Sequence, residues 1–197
     1  MAAPASKTIG DLSGKWVMNK TLSDNPEPGL ALQGIGYLTR KAIGLATVTL
    51  HAKQYTDADG VVHIDIEQTA TGGIKGTSEH RTVNNATREH SDWLFGHVVS
   101  RATWSAAGAD ALAAIEPVKE HGVEFLAKGW LDGEAERTGP DAALHVVSSA
   151  VADGGWTATQ VWGFQTIGGE RRYARNIVLK KGDQKVEITL VYDFIPE

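Results

Sequence analysis

The sequence predicts a mainly β fold, an antiparallel up-and-down barrel of about ten strands. Three observations carry that expectation. Apolar residues recur with a period of two, not the helical period, over most of the chain. The alternating runs are long, roughly ten residues each, and short glycine-bearing turns join most of them. Two segments only depart from alternation. A β-sandwich satisfies the same periodicity, so alternation alone leaves both architectures open.

Along the chain, residues 1–10 read as a flexible N-terminal tail and 11–197 as one domain. Leu12 to Thr21 is the first predicted strand. Leu45 to Tyr55 follows, with Ala46, Val48, Leu50 and Ala52 on one face. In Val61 to Thr71, Val62, Ile64 and Ile66 oppose His63, Asp65 and Glu67, and Asp59-Gly60 supplies the turn between these two strands. Further strands are expected at Thr77–Val83, Trp93–Trp104, Val123–Leu131, Leu144–Val151, Trp156–Thr166, Arg171–Leu179 and Val186–Ile195. Ile167-Gly168-Gly169 and Lys181-Gly182-Asp183 turn the last hairpins. The exceptions are Pro26–Gly44 and Ala106–Glu120, whose apolar residues have helical spacing.

Composition bounds the function. Charged residues make up 22% of the 197 and the formal net charge is −5, which argues against a nucleic-acid partner. No apolar run is long enough for a membrane-spanning helix. Cysteine is absent, so thiol catalysis, thiolate metal sites and disulfides are excluded, and a reducing, cytoplasmic location is expected. The seven histidines show no i, i+2 or i, i+4 pairing, and neither a phosphate-binding nor a dinucleotide-binding glycine motif occurs. No metal and no cofactor is therefore expected.

Local motifs add a resemblance. Gly14-Lys15-Trp16 resembles the Gly-x-Trp signature of the first strand in the lipocalin and fatty-acid-binding-protein (calycin) superfamily. Thr39-Arg40-Lys41, followed by Gly44 and Ala46, is similar to the end of the second lid helix in fatty-acid-binding proteins. The resemblance implies a barrel with a helix-turn-helix lid over Pro26–Gly44, enclosing a small hydrophobic molecule. This chain is longer than a typical member, with extra residues in the tail, in Ala106–Glu120 and in Asp132–Ala142. Members commonly carry Arg-x-Tyr in the last strand to grip a carboxylate; here that strand reads Leu190-Val191-Tyr192. The missing arginine implies a neutral or phenolic, ring-bearing ligand in place of a fatty acid.

Alternation selects the candidate site. Arg171, Tyr173, Arg175, Ile177 and Leu179 share the face expected inside, and a buried arginine demands an internal carboxylate or a ligand oxygen. Trp93, Phe95, His97, Val99 and Arg101 share another face, which suits either a cavity wall or an outer surface covered by the Ala106 segment. Trp162 and Phe164 are expected in the cavity wall, and Tyr192 should point inward with Val186, Ile188, Leu190 and Phe194. Two functions fit. One is non-covalent binding of a hydrophobic molecule by Trp93, Phe95, Trp162, Phe164, Tyr173, Arg175 and Tyr192. The other is cofactor-independent isomerisation or cyclisation of a secondary-metabolite intermediate, with Tyr173, Arg175, His97 and Arg101 as catalysts.

Overall fold

A computed structural model of the chain describes every residue except Gly73, Lys75, Ala107 and Glu197. Ten antiparallel strands form one curled sheet in the order β4-β3-β2-β1-β10-β9-β8-β7-β6-β5. Their ranges are β1 Gly14–Met18, β2 Val48–Thr56, β3 Val62–Ala70, β4 Ser78–Thr82 and β5 Arg88–Asp92, then β6 Gly96–Ser105, β7 His145–Ala152, β8 Thr157–Ile167, β9 Glu170–Lys181 and β10 Gln184–Ile195. The first strand pairs with the last, Trp16 opposite Phe194, so the meander curls on itself. Its edge strands are β4 and β5, and the seam between them closes where β4 meets β6. Just beyond β4, Val83 bridges Ala102 of β6, and Arg81 Nη1 donates to Ser100 Oγ at 3.0 Å. The barrel with its lid is the architecture that the alternation and the Gly-x-Trp segment predict.

The lid also matches. Helix α1 (Glu27–Leu32) begins at Pro26-Glu27-Pro28, where proline's fixed φ suits a first turn. Gly34 then turns the chain with φ 85° into α2 (Tyr37–Leu45). The second helix runs one residue past Gly44, the expected stop. Gly29 lets α1 lie directly on the barrel: a Cβ there would stand 2.6 Å from Leu179 Cδ1.

Three apolar clusters organise the interior. Trp16, Trp162, Phe164, Tyr173 and Tyr192 fill one end of the barrel. Leu32, Val98, Trp156, Ile177, Leu179 and Ile188 line the other end, beneath the lid. The third lies outside the barrel, where α3 (Ala109–Ala113), α4 (Glu116–His121) and α5 (Val123–Leu126) cover the outer face of β7–β9. Leu112, Val118 and Leu126 pack there on Val147, Val161 and Val178. Central strands β8 and β9 are thus buried on both faces over much of their length.

Several expectations need correction. Val123–Leu131 is not a strand: Val123 and Leu126 sit one helical turn apart and both join the outer cluster, while Trp130 Nε1 donates to Leu126 O. The tenth strand is instead β5, a short charged edge that alternation does not mark. Pro117 opens α4 within the Ala106–Glu120 segment, of which Ala107 lies outside the described residues. Residues 1–10 are no loose tail. Ala3 and Ile9 join the barrel-end cluster, and Ala3 N–H donates to Arg171 O. No helix among the described residues is long and apolar enough to cross a membrane.

Candidate functional site

Under α1, the barrel encloses a cavity of about 470 Å³. Apolar side chains form most of its wall: Phe95, Val98, Trp156, Ile177, Leu179 and Ile188. Leu30, Gln33 and Ile43 reach it from the lid. Inward alternation on β9 and β10 brings Arg175 and Tyr192 to its deeper end, and β4 adds Glu79 and Arg81 from the seam. Gln68 and Gln160 complete that polar end.

Arg175 is the centre of this cluster. Its side chain is 4% exposed. The guanidinium lies 3.9 Å above the Trp162 ring centroid, a cation–π arrangement strengthened by desolvation. Nε donates to Tyr173 Oη at 2.9 Å, and Nη1 reaches Glu79 Oε1 at 3.3 Å and Oε2 at 3.4 Å. The remaining nitrogen, Nη2, is buried without a hydrogen-bond partner. Glu79 also accepts from Gln68 Nε2 at 2.7 Å and from Arg81 Nη2 at 3.3 Å. Arg81 Nε is likewise buried and unpartnered.

The electrostatics are self-consistent. Burial pushes the Glu79 carboxyl up, but Arg175 and Arg81 outweigh it and hold the group below its ordinary range. Burial lowers Arg175, yet Tyr173, Glu79 and Tyr192 together raise it, so it stays charged. Burial raises both Tyr173 and Tyr192, which remain neutral phenols. Their rings stack with centroids 5.3 Å apart. The carboxylate that a buried arginine demands is therefore Glu79, a residue that sequence reasoning missed. The signal was the shared parity of Glu79 and Arg81 within the predicted Thr77–Val83 strand.

The structure brings Tyr173, Arg175, Trp162 and Tyr192 together. Trp162, Phe164 and Tyr173 pack below the cavity in the barrel-end cluster, with the Arg171 guanidinium 3.8 Å over the Phe164 ring. Phe95 lines the cavity and meets Trp156 edge-on, centroids 6.0 Å apart. Trp93, His97 and Arg101 lie outside it. Trp93 is 45% exposed and donates its indole N–H to Gly76 O. His97 pairs with Asp153 at 3.2 Å, a contact that raises its pKa. Arg101 lines a groove of about 290 Å³ between the outer face of β6–β7 and the helical insertion. The cause is a turn: Trp93–Phe95 curls back to Gly96, which has φ 71°, so parity counted from Trp93 does not carry into β6. The inward residues of that strand are Val98, Ser100 and Ala102.

Among the described residues no three His, Asp or Glu side chains gather as a metal site. What the cavity can do is enclose an apolar molecule with Arg175, Arg81 and the Tyr192 phenol lining one end.

Comparisons with known proteins agree with this architecture. No protein-family model matches the chain. The probable pericyclase scpY of Mollisia scopiformis is 30% identical over 195 residues, covering 98% of this chain and 95% of that protein. Pericyclase pydY of an Acremonium species is 26% identical over 196 residues, 99% of this chain and 97% of the other. Among solved structures, a Schistosoma mansoni fatty acid binding protein in complex with arachidonic acid superposes with a TM-score of 0.53 at 14% identity, covering 93% of this chain and 96% of that one. The wild-type fluorescent protein UnaG gives 0.52 at 16% identity, covering 93% and 97%. At these identities the structural likeness establishes the fold, a lipocalin-like barrel of the fatty-acid-binding-protein type.

Proposed function

This chain belongs to the protein family of the probable pericyclase scpY, and on that premise we propose that its cavity binds a small hydrophobic, unsaturated molecule and speeds a cofactor-independent pericyclic ring closure of it. The observation that carries this reading is an apolar wall and lid that meet a buried polar cluster built on Arg175.

Such a reaction makes few demands of a protein. In an intramolecular cycloaddition of a diene and an alkene, three π bonds become two σ bonds and one π bond. No proton, electron or leaving group enters or departs. Catalysis reduces to folding a flexible chain into its reactive shape and polarising one end of it. Orientation of that kind removes several kcal/mol from a barrier by ordering the reactants in advance. The lid residues Leu30 and Ile43 and the walls Phe95, Trp156 and Ile177 supply the confinement. Arg175, held rigid by Tyr173, Glu79 and the Trp162 ring, supplies the polarisation, because a donor fixed in a dry site needs no reorganisation as charge develops. Tyr192 adds a hydroxyl at the same end. The walls also suit a ring-bearing product, and the cysteine-free chain suits a cytoplasmic site of action.

The test offers the protein a linear conjugated polyene carrying a carbonyl-activated alkene and follows cyclisation by chiral chromatography. Faster conversion than in buffer, to one dominant stereoisomer, supports the reading. Saturable binding with unchanged rate and isomer ratio would overturn it and leave a carrier.

A further inference from the structure

Two guanidinium groups, Arg175 and Arg81, face a single carboxylate, Glu79, at the deep end of the cavity. Other ionisable groups also line the cavity, and among them His80 of β4 pairs with Asp65 at 2.9 Å. Tyr173 of β9 and Tyr192 of β10 are neutral. Across the seam on β5, Arg88 and Glu89 are solvent-exposed and screened. Asp92 Oδ1 accepts from the backbone N–H groups of Leu94 and Phe95, and Oδ2 lies 3.4 Å from His90 Nε2. Immediately around Glu79 the two guanidiniums outnumber the carboxylate, and Arg175 Nη2 and Arg81 Nε have no hydrogen-bond partner.

The free donors have a particular shape. Arg175 has committed Nε and Nη1, and Arg81 has committed Nη1 and Nη2. What remains is one nitrogen from each, Nη2 and Nε. On either arginine, a carboxylate taking two parallel N–H bonds would have to share a nitrogen already engaged with Tyr173, Glu79 or Ser100. A single anionic oxygen needs only such isolated donors.

We infer that the molecule held in this cavity carries an acidic hydroxyl on an unsaturated carbon, an enol or a phenol, and binds as its oxygen anion against Arg175 and Arg81. The inference rests on the cavity being the substrate site and narrows the ligand to an ionisable one. Glu79 is then a positioning residue. It aims Arg175 and caps the positive charge at one unit, so that the oxygen anion completes neutrality.

The test is a pH titration of two probes with the full chain: para-nitrophenol, whose phenolate is yellow, and dimedone, an enolised diketone followed in the ultraviolet. On binding, at least one probe should be half-ionised at a proton concentration about tenfold or more higher than in buffer. Removing charge should act with opposite signs. Glu79→Gln should favour the anion further, whereas Arg175→Met and Arg81→Gln should return ionisation toward the buffer value. A general loss of packing would weaken all three alike. Should Arg175→Met fail to fold by circular dichroism, the Glu79→Gln and Arg81→Gln pair still decides the sign. A response to one probe alone identifies phenol or enol. Binding with unmoved ionisation, no saturable binding of either probe, or displacement of both by palmitate more tightly than they bind would each overturn the inference. Turnover of a neutral polyene would meanwhile leave the pericyclase reading standing.

Discussion

Arg175 and Leu190 stand opposite each other across the β9–β10 ladder, and both line the cavity. The last strand lacks the arginine that fatty-acid-binding proteins commonly carry, yet the cavity does not lack a guanidinium. The neighbouring strand supplies one, at the register position facing the absent one. Its surroundings differ from those of a surface cation: an indole face below, a phenol and a carboxylate beside it.

The first prediction concerns that ion pair. Arg175→Met leaves Glu79 largely buried with only Arg81 and Gln68 for company, so the fold should lose about 3 kcal/mol or more, the scale of breaking a buried pair from one side. Arg175→Met combined with Glu79→Leu should recover part of that loss. Urea denaturation of the four proteins of this cycle measures both. A double change that costs the sum of the two single changes would show that Glu79 and Arg175 do not interact energetically.

Glu79 also makes stability acid-sensitive. Its folded pKa lies below its unfolded value near 4.5. Unfolded protein therefore binds the extra proton first, and the stabilisation present above that value is lost as pH falls through the folded pKa. Glu79→Gln should flatten the acid limb of a stability-against-pH curve measured below about pH 5, where an unchanged limb would contradict the pairing.

What the sequence made legible was whatever alternation could express. Inward and outward faces of β9 and β10 follow parity residue by residue, and Tyr192, Ile188 and Arg175 lie where period two puts them. Parity failed where the backbone changed phase. The Asp92–Gly96 turn made Trp93 and Phe95 useless as a guide to His97 and Arg101. It also said little where a strand is buried twice over. The outward Val161 and Val178 look like core because they are core, packed on the helical insertion. Glu79 was hidden for another reason: a charged residue on a short edge strand reads as solvent-facing until the strand carrying its partner is known.

His97 and Arg101 lie outside the cavity and supply an informative control. Changing either to Ala should leave binding and turnover of any cavity ligand within about twofold, since exposed pairs such as His97 with Asp153 contribute little even to stability. Ala158→Phe, by contrast, places a ring in the cavity and should weaken ligand binding at least about tenfold with little loss of fold, because the added bulk enters existing space. Ligand titration with thermal unfolding on the same samples separates the two effects. A large defect in Arg101→Ala with none in Ala158→Phe would move the site to the outer groove.

The lid offers a mechanical test. Gly29 is buried on α1, and an added Cβ would meet Leu179 Cδ1 at 2.6 Å and Ile188 Cδ1 at 3.5 Å. The nearest atoms are ends of flexible side chains, so Gly29→Ala should be absorbed by a rotation of Leu179. Gly29→Val adds two further methyls and must lift the helix, costing about 1–3 kcal/mol by overpacking. Lifting α1 opens the apolar end of the cavity, so ligand dissociation should accelerate more than association slows. Stopped-flow kinetics on both variants reads this directly. Unchanged dissociation in Gly29→Val, with the expected loss of stability, would show that α1 seals nothing.

His145 gives the last prediction, and its sign differs from that of a histidine gaining a charged partner. It is 1% exposed at the start of β7, its ring 5.0 Å from the Trp130 centroid and its Nδ1 without a hydrogen-bond partner. Burial lowers its pKa from 6.5 to about 4. Above pH 6.5 the ring is neutral whether the chain is folded or not, and stability is at its full value. Between 6.5 and about 4 the unfolded chain takes up a proton that the folded chain refuses, so stability falls across that window. The total loss is about 3 kcal/mol. His121, also lowered by burial and by Lys180, adds to the same slope from the outer cluster. Replacing His145 with Gln should therefore reduce stability at pH 7.5 yet lessen its decline toward pH 4.5, and a double change with His121→Gln should lessen it further. Urea midpoints at the two pH values measure this. An equally steep decline in the His145→Gln protein would show that His145 is already charged in the fold, and that the space beside Trp130 is more polar than its packing implies.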